Sequence, residues 1–204
     1  DLGTVTPAIQ RKLEGAGLLS YRLLFFEREM GGAFRLPAQF PKQALVSVTT
    51  HDLPTLKGYW VGRDIDMKEQ ASLYPQPEDR DRDMKARVKD RRQLWEALRR
   101  AGVALPELMP GALPMEMVTK IYQFLARTPS QLLMVQLEDL LGELDTPNLP
   151  GAADSAYPSW RMRLSQELMS WLKDPAIWGF TQVIRDERKK RKVKSENWKS
   201  RSKD

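Results

Sequence analysis

Residues 44–52 read Ala-Leu-Val-Ser-Val-Thr-Thr-His-Asp, and this stretch determines the predicted fold. Its first seven residues are rich in β-branched side chains and predict a buried strand that crosses a sheet once. The strand ends at His51 and Asp52. Pro54 then turns the chain, and Thr55 is a suitable cap for a following helix. Two polar side chains are therefore expected at the end of a buried strand.

Two further apolar runs, 18–26 and 132–136, predict strands on either side of this one in sequence. Between the second and third strands, the apolar spacing over 79–100 and 114–126 predicts two amphipathic helices. Strands that alternate with helices are typical of parallel β/α units, so the predicted class is α/β with a helical insertion before the last strand. Three strands are too few for a stable parallel sheet, and an eight-stranded (β/α) barrel would need five more.

Three other segments complete the predicted organisation. Thr6 followed by Pro7 predicts the start of a short helix. The proline-rich stretch 145–159 predicts an irregular surface loop. After it, apolar residues spaced three or four apart predict a final helix to about residue 171, with Trp160 on its apolar face.

Composition excludes several classes of protein. The chain has 204 residues, 41% of them hydrophobic, which is enough for a sizeable core. The absence of cysteine excludes a disulfide framework, a thiolate zinc site and a cysteine nucleophile, and it is compatible with a cytoplasmic location. His51 is the only histidine, so no multi-histidine metal site is expected, nor any cofactor. No apolar stretch is long enough for a membrane helix, and no membrane partner is expected.

The net charge of +6 is concentrated at one end of the chain. Residues 185–204 carry ten basic and four acidic side chains, whereas the preceding 184 residues carry 23 of each sign. The body therefore has no basic surface for a phosphate backbone, and nucleic acid is not an expected partner of it. Residues 179–204 are predicted to form a disordered basic tail. Binding of nucleic acid through this tail is an alternative function.

Several short motifs, in order, resemble those of bacterial amylomaltases, the 4-α-glucanotransferases of glycoside hydrolase family 77. The strongest is 47–60, which is similar to the pattern T-H-D-L-P-T-x-x-G-[FY]-W. The others are at 1–5, 24–29, 148–151 and 157–161, similar to D-L-G-x-[VI], F-E-R-E, N-[LY]-P-G and P-N-W-R. The resemblance implies the C-terminal β/α units of a TIM (β/α)8 barrel over residues 1–178.

The resemblance also implies a chemistry: α-1,4-glucan segments are transferred between maltooligosaccharides by retaining double displacement. It makes Asp52 the carboxylate that stabilises the transition state, and His51, Asn148 and Trp60 contacts to the sugar. Each residue also has a purely structural interpretation. Asp52 could cap the next helix, Asn148 could hold its proline-rich loop, and Trp60 could lie in the core.

The family's nucleophilic aspartate and acid/base glutamate precede the matched segments, and the glutamate comes immediately before the position matched by Asp1. We therefore expect the chain to be a fragment that is inactive alone, with the N-terminal part of the same enzyme as a possible partner. Four other carboxylates near predicted strand ends are weak substitutes for the missing pair: Glu27, Glu29, Glu138 and Asp139.

Overall fold

The computed structural model describes residues 6–171 and 173–201, so the motif predicted at 1–5 lies outside the described residues. These described residues contain three strands: β1 Ser20–Leu23, β2 Ala44–Ser47 and β3 Leu132–Leu133. The helices are α1 Pro7–Gly15, α2 Leu56–Val61, α3 Arg63–Gln70, α4 Pro77–Arg100, α5 Met115–Ala126, α6 Leu137–Leu141, α7 Leu168–Trp171 and α8 Pro175–Arg201.

The strands form one parallel sheet in the order β1-β2-β3. Ser20 pairs with Ala44, and Leu45 pairs with Leu132, so β2 is central. Four helices, α2 to α5, separate β2 from β3. The predicted α/β class and the helical segment before the last strand are thus confirmed. Because parallel strands end at the same edge of a sheet, the residues that follow β2 and β3 meet on one side of the molecule.

Every strand is shorter than predicted. β1 ends at Leu23, because the chain then tightens into a 3₁₀ turn at Leu24–Phe26 that buries Leu24 and Phe25. β2 ends at Ser47, although Val48 and Thr49 beyond it are buried. Within the described residues no neighbouring strand pairs with that extension.

Two threonines begin helices as the sequence predicts. The Thr6 hydroxyl accepts the backbone N–H of Ile9 at the start of α1. The Thr55 hydroxyl accepts the backbone N–H of Gly58 at 3.0 Å and so caps α2. Gly62 ends α2 in the left-handed conformation at φ 82°, which glycine adopts without steric cost. The turn after Asp52 is therefore fixed by a capped helix start.

The main core joins the sheet to α2, α4, α5 and α8. Trp60 lies at its centre, has no exposed surface, and its indole N–H donates to the carbonyl of Pro110 at 3.0 Å. The prediction that Trp60 contacts sugar is therefore corrected, since the α2 register turns this side chain inward. A second, small cluster of Met67, Leu149 and Tyr157 packs the loop after α6 against α3.

The prediction of a disordered tail over 179–204 is wrong for the residues that the structure describes. Helix α8 runs from Pro175 to Arg201. Phe180 is buried, and its ring meets the ring of Tyr122 edge-on with centroids 5.4 Å apart. Apolar docking of this kind offsets the entropy that a charged segment loses on ordering.

Polar contacts add to the docking of α8 on α5. Arg127 Nε donates to Glu187 at 2.8 Å. The Arg188 guanidinium donates to the carbonyls of Thr128 and Ser130, at 3.2 and 2.8 Å. Two of the charges that predicted a solvated tail are therefore used to hold α8 in place. Among the described residues, no helix is both long and apolar enough to cross a membrane.

The predicted helix from residue 159 to 171 is also wrong, except for its last turn, α7. Trp160 adopts φ 64°, a left-handed conformation that a helix excludes. Its backbone N–H donates to the carbonyl of Pro147 at 2.8 Å. The Ser159 hydroxyl accepts the N–H of Leu149 at 3.3 Å. Hydrogen bonds to the preceding loop thus replace the helical ladder that the apolar spacing indicated.

Candidate active site

Asp52 and Asn148 meet at the edge of the sheet where β2 ends. Asn148 Nδ2 donates to Asp52 Oδ1 at 2.6 Å, although the residues are 96 positions apart in sequence. The ring of His51 lies beside the same oxygen, with Nε2 3.3 Å from Oδ1. The structure therefore brings three of the four predicted site residues together.

The Asp52 carboxylate is held on one side and open on the other. Both neighbours contact Oδ1, and no donor among the described residues contacts Oδ2. About half of the Asp52 side chain is exposed, and slightly more of His51. A carboxylate fixed through one oxygen, with the other facing solvent, can accept a hydrogen bond from a ligand without reorganising.

Trp160 lies next to this pair and is 65% exposed. Its ring is tilted against the His51 ring, with centroids 5.0 Å apart. A left-handed backbone is a strained conformation for a bulky residue, and strained residues of this kind concentrate at ligand sites. An exposed indole beside a polar cluster provides an apolar face for a ring-shaped ligand.

The loop that carries Asn148 and Trp160 is tied to the chain on both sides of Asp52. The Thr146 hydroxyl donates toward the carbonyls of Leu53 and His51, at 2.9 and 3.0 Å. Thr146 is buried, so this hydroxyl has no water to replace its partners. Asn148 is thereby fixed relative to Asp52.

Below the surface, Asp139 holds the start of α2. Its Oδ1 accepts the backbone N–H of Leu56 at 2.6 Å, and its Oδ2 accepts the hydroxyl of Tyr122 at 2.6 Å. Burial raises the pKa of Asp139 to about 6, against the lowering effect of these two hydrogen bonds. Burial beside Asp139 also raises the pKa of Tyr122 well above its ordinary value.

A cleft of about 670 Å³ is lined in part by the segment that follows α6. Its lining includes Arg63, Glu138, Glu143, Asp145 and Arg163. Arg63 Nε donates to Asp145 at 2.5 Å, and Glu143 accepts the backbone N–H of Ser165 at 2.7 Å. Two of the carboxylates are therefore used in closing the loop.

Two of the weaker carboxylate candidates have structural partners. Glu27 is buried and contacts Arg35 at 2.9 Å and Arg22 at 3.4 Å. Asp139 is 1% exposed and points away from solvent. Neither arrangement leaves a carboxylate free to attack a sugar.

Sequence reasoning missed the position of Trp160. The apolar spacing after Pro158 placed it on a helix face, whereas it lies in a loop beside His51. The sequence did contain a signal against a helix here: the motif at 157–161 follows two other prolines, which favour irregular backbone. Nothing in the sequence indicated that Asp139 would bond to the start of α2.

The sequence profile of the 4-alpha-glucanotransferase family, glycoside hydrolase family 77, matches residues 1–169. The chain therefore belongs to this family of carbohydrate-active enzymes.

Two relatives illustrate the similarity. The 4-alpha-glucanotransferase of Mycobacterium bovis is 40% identical over 171 residues, which are 81% of this chain and 23% of that protein. The 4-alpha-glucanotransferase of Haemophilus influenzae is 32% identical over 181 residues, which are 87% of this chain and 26% of that protein. The chain thus spans about a quarter of the length of these relatives.

Solved structures show the same fold. The amylomaltase of Corynebacterium glutamicum superposes with a TM-score of 0.79 at 27% identity, over 90% of this chain and 28% of that one. The amylomaltase of Streptococcus agalactiae, solved in complex with acarbose, gives a TM-score of 0.57 at 16% identity, over 92% of this chain and 30% of that one. The resemblance inferred from the motifs is confirmed.

Proposed function

We propose that this chain supplies one wall of the active site of a 4-α-glucanotransferase, which transfers α-1,4-glucan segments between maltooligosaccharides. The observation that carries the proposal is the Asp52 carboxylate, held at Oδ1 by Asn148 and open at Oδ2. Family membership supports the reaction class, and the geometry supports the part that this carboxylate takes in it.

In a retaining glycosyl transfer, positive charge develops on the sugar ring as the bond to the leaving oxygen breaks. A carboxylate that accepts hydrogen bonds from sugar hydroxyls stabilises this transition state more than the ground state. Asp52 Oδ2 takes that part in the proposal, because it is the unoccupied oxygen of a fixed carboxylate. The nucleophile and the acid/base glutamate are assigned to the portion of the relatives that this chain does not cover.

His51 and Trp160 are proposed to bind the same sugar. His51 Nε2 is near enough to Asp52 for both groups to contact neighbouring hydroxyls. The exposed indole of Trp160 supplies a face for the apolar side of a glucose ring. Asn148 is proposed to orient Asp52, and through its remaining polar atoms to contact the sugar.

The proposal includes an architecture. The three parallel strands are assigned to consecutive β/α units of a (β/α)8 barrel, in which active-site residues follow the carboxyl ends of the strands. His51 and Asp52 follow β2 in this way. Asn148 belongs to the irregular chain after β3 and α6.

Binding of maltoheptaose to the chain tests the proposal, followed by NMR of uniformly labelled protein. We expect the largest shifts at the indole N–H of Trp160, the side-chain amide of Asn148 and the backbone of Asp52. Trp160→Ala should weaken binding about tenfold, as expected for loss of an aromatic contact. Trp178→Ala, which removes another half-exposed tryptophan on α8, is the control and should bind normally. Shifts confined to other surfaces would reject this site.

The alternative of nucleic-acid binding through α8 receives less support. Arg188 is engaged with backbone carbonyls, and Glu187 with Arg127. Part of the charge that suggested a phosphate-binding segment therefore has a structural partner. A salt-sensitive complex with DNA or RNA, lost on deleting residues 185–204, would restore this alternative.

A further inference from the structure

We propose that Asp139 and Tyr122 are positioning residues for Asp52: they anchor the start of α2 from the core and thereby fix the carboxylate at the surface. This inference rests on the proposed function of Asp52. It assigns a part in that function to two residues that do not touch the proposed ligand site.

The anchor consists of two short hydrogen bonds to one carboxylate. Asp139 accepts the N–H of Leu56 and the hydroxyl of Tyr122, both at 2.6 Å. Asp139 is 1% exposed and Tyr122 is fully buried, so water cannot substitute for either bond. Tyr122 is oriented in turn by Phe180, whose ring lies edge-on against it, and by the N–H of Gln136, which donates to its hydroxyl at 3.3 Å.

Four hydrogen-bonded links, which we call the clamp, connect the segment 51–58 to the segment 139–148. From the core outward, the first is Asp139 to the N–H of Leu56. The second is the Thr55 hydroxyl, which donates to the backbone carbonyl of Glu143 at 2.8 Å and lies 3.2 Å from the carbonyl of Leu144. The third is Thr146 to the carbonyls of Leu53 and His51, and the fourth is Asn148 to Asp52.

The four links come in sequence order along both segments, in opposite directions. As residue numbers rise from 139 to 148 on one segment, their partners fall from Leu56 to His51 and Asp52 on the other. The two segments therefore run antiparallel, and each link limits the freedom of the next. Asp139 is the innermost link, and Asp52 lies at the exposed end.

Packing makes this register precise. A Cβ atom on Gly58 would lie 2.2 Å from the carbonyl oxygen of Leu144, so α2 and the segment after α6 are already at closest approach. Small shifts at the base of α2 therefore cannot be absorbed by sliding the two segments together. They must be transmitted along the segment to Asp52.

A carboxylate suits the anchor because both of its oxygens accept. Asparagine has one acceptor and one NH₂ donor, so it could satisfy Leu56 but would face the Tyr122 hydroxyl with a donor. The charge of the neighbouring Glu138 is also acidic and raises the pKa of Asp139 further. Within the described residues, two hydrogen-bond donors, the Leu56 N–H and the Tyr122 hydroxyl, hold this buried carboxylate. A buried carboxylate held in this way adds little stability over apolar side chains of similar size. Its two hydrogen bonds, however, fix the orientation of the Leu56 N–H and of the Tyr122 hydroxyl relative to each other.

The test uses the whole chain and measures the NMR signals of the Asn148 side-chain amide. These NH₂ signals report directly on the hydrogen bond to Asp52, which lies at the opposite end of the clamp from the Tyr122–Asp139 bond. Tyr122→Phe keeps the ring against Phe180 and removes only the hydroxyl, and Asp139→Asn replaces the carboxylate. Ser130→Ala is the matched control, because it removes a buried hydroxyl that donates to Pro41 at 2.9 Å outside the clamp.

We expect both clamp variants to shift the Asn148 NH₂ signals toward those of a free amide and to speed their exchange with water at least threefold. Maltoheptaose affinity should fall at least fivefold. Ser130→Ala should change neither. An unchanged Asn148 side chain in folded Tyr122→Phe would overturn the inference. If the unaltered chain binds no maltoheptaose, the proposed function fails, but the Asn148 signals still decide whether the clamp positions Asp52.

Discussion

The side-chain amide of Asn148 donates to Asp52 across 2.6 Å and joins a proline-rich loop to the end of the central strand. The contact leaves one carboxylate oxygen open and fixes the direction in which it points. Because a flexible carboxylate would pay an entropic cost to meet a ligand, a fixed one binds the same hydroxyl more tightly. The relationship between these two residues is therefore the centre of the proposed site.

Removing the Asn148 amide should weaken ligand binding without unfolding the chain. Asn148→Ala is expected to lower maltoheptaose affinity five- to twentyfold, which corresponds to about 1–2 kcal/mol for a hydrogen bond to a charged group. Titration calorimetry measures the change. Gln70→Ala, at an exposed position at the end of α3, provides the control. Equal affinity in the two variants would mean that Asn148 only shapes its loop.

Gly58 should not tolerate a side chain, although it lies inside a helix. Alanine normally stabilises a helix interior by about 1 kcal/mol relative to glycine. Here the added carbon would lie 2.2 Å from the Leu144 carbonyl oxygen and 2.9 Å from the Thr55 hydroxyl. We expect Gly58→Ala to lower the free energy of unfolding by roughly 1–3 kcal/mol, as overpacking does.

Gly179 supplies the comparison for this prediction. It lies in α8, and a Cβ atom there would meet nothing within 4 Å. Gly179→Ala should therefore leave stability unchanged or raise it slightly. Urea denaturation of both variants measures the difference, and a Gly58→Ala protein as stable as Gly179→Ala would refute the close approach.

The buried carboxyl of Asp139 should make stability depend on pH in a particular direction. Its pKa is raised by burial from 3.8 to about 6, so the folded state binds a proton more tightly than the unfolded state. Stability from this group is therefore present at low pH and is lost as pH rises toward 6. Between pH 4.5 and 7, we expect a loss of about 2 kcal/mol relative to Asp139→Asn.

Denaturation curves of the two proteins across this pH range provide the measurement. The difference in unfolding free energy between the wild-type chain and Asp139→Asn is taken at each pH. This removes the contributions of the other titrating groups, which both proteins share. A constant difference between the wild-type chain and Asp139→Asn from pH 4.5 to 7 would show that Asp139 does not titrate in this range.

Helix α8 should stabilise the body of the protein. Phe180→Ala removes a buried ring from the contact with Tyr122 and is expected to cost roughly 3 kcal/mol. Phe180→Leu, which keeps most of the apolar volume, should cost less than half as much. Thermal unfolding of both variants checks this order. No loss in Phe180→Ala would indicate that α8 does not pack on α5 in solution.

The sequence predicts the local elements well where one face is strongly apolar. Helices α4 and α5 lie within two residues of their predicted bounds, and Thr55 caps α2 as expected. The segment after Pro158 has comparable spacing but does not form the predicted helix. There, hydrogen bonds that join Ser159 and Trp160 to residues 147–149 earlier in the same loop determine the backbone, and periodicity carries no information about them.

The same limit applies to the site. His51 and Asp52 are recognisable because they follow a strand, and Asn148 because it begins a turn motif. No strand end or motif in the sequence identifies the buried Asp139 as part of the site. Its partner Leu56 is 83 residues away and contributes only a backbone N–H. Trp60 was misplaced because its motif fixes its identity but not the side of α2 on which it lies.

A transfer assay on a chimeric enzyme tests whether Asp52 takes part in glucan transfer. The chimera is the Mycobacterium bovis relative with its 171 matched residues replaced by the corresponding residues of this chain. From maltotriose, it should form glucose and longer maltooligosaccharides. Asp52→Asn should lower kcat by about 100-fold or more while the protein remains folded by circular dichroism. Asp154→Asn, an exposed carboxylate paired with Arg161 in the same loop, is the control.

Of the two substitutions, only Asp52→Asn is expected to slow transfer. A folded chimera that carries Asp52→Asn and still transfers glucan at the unaltered rate would contradict this expectation.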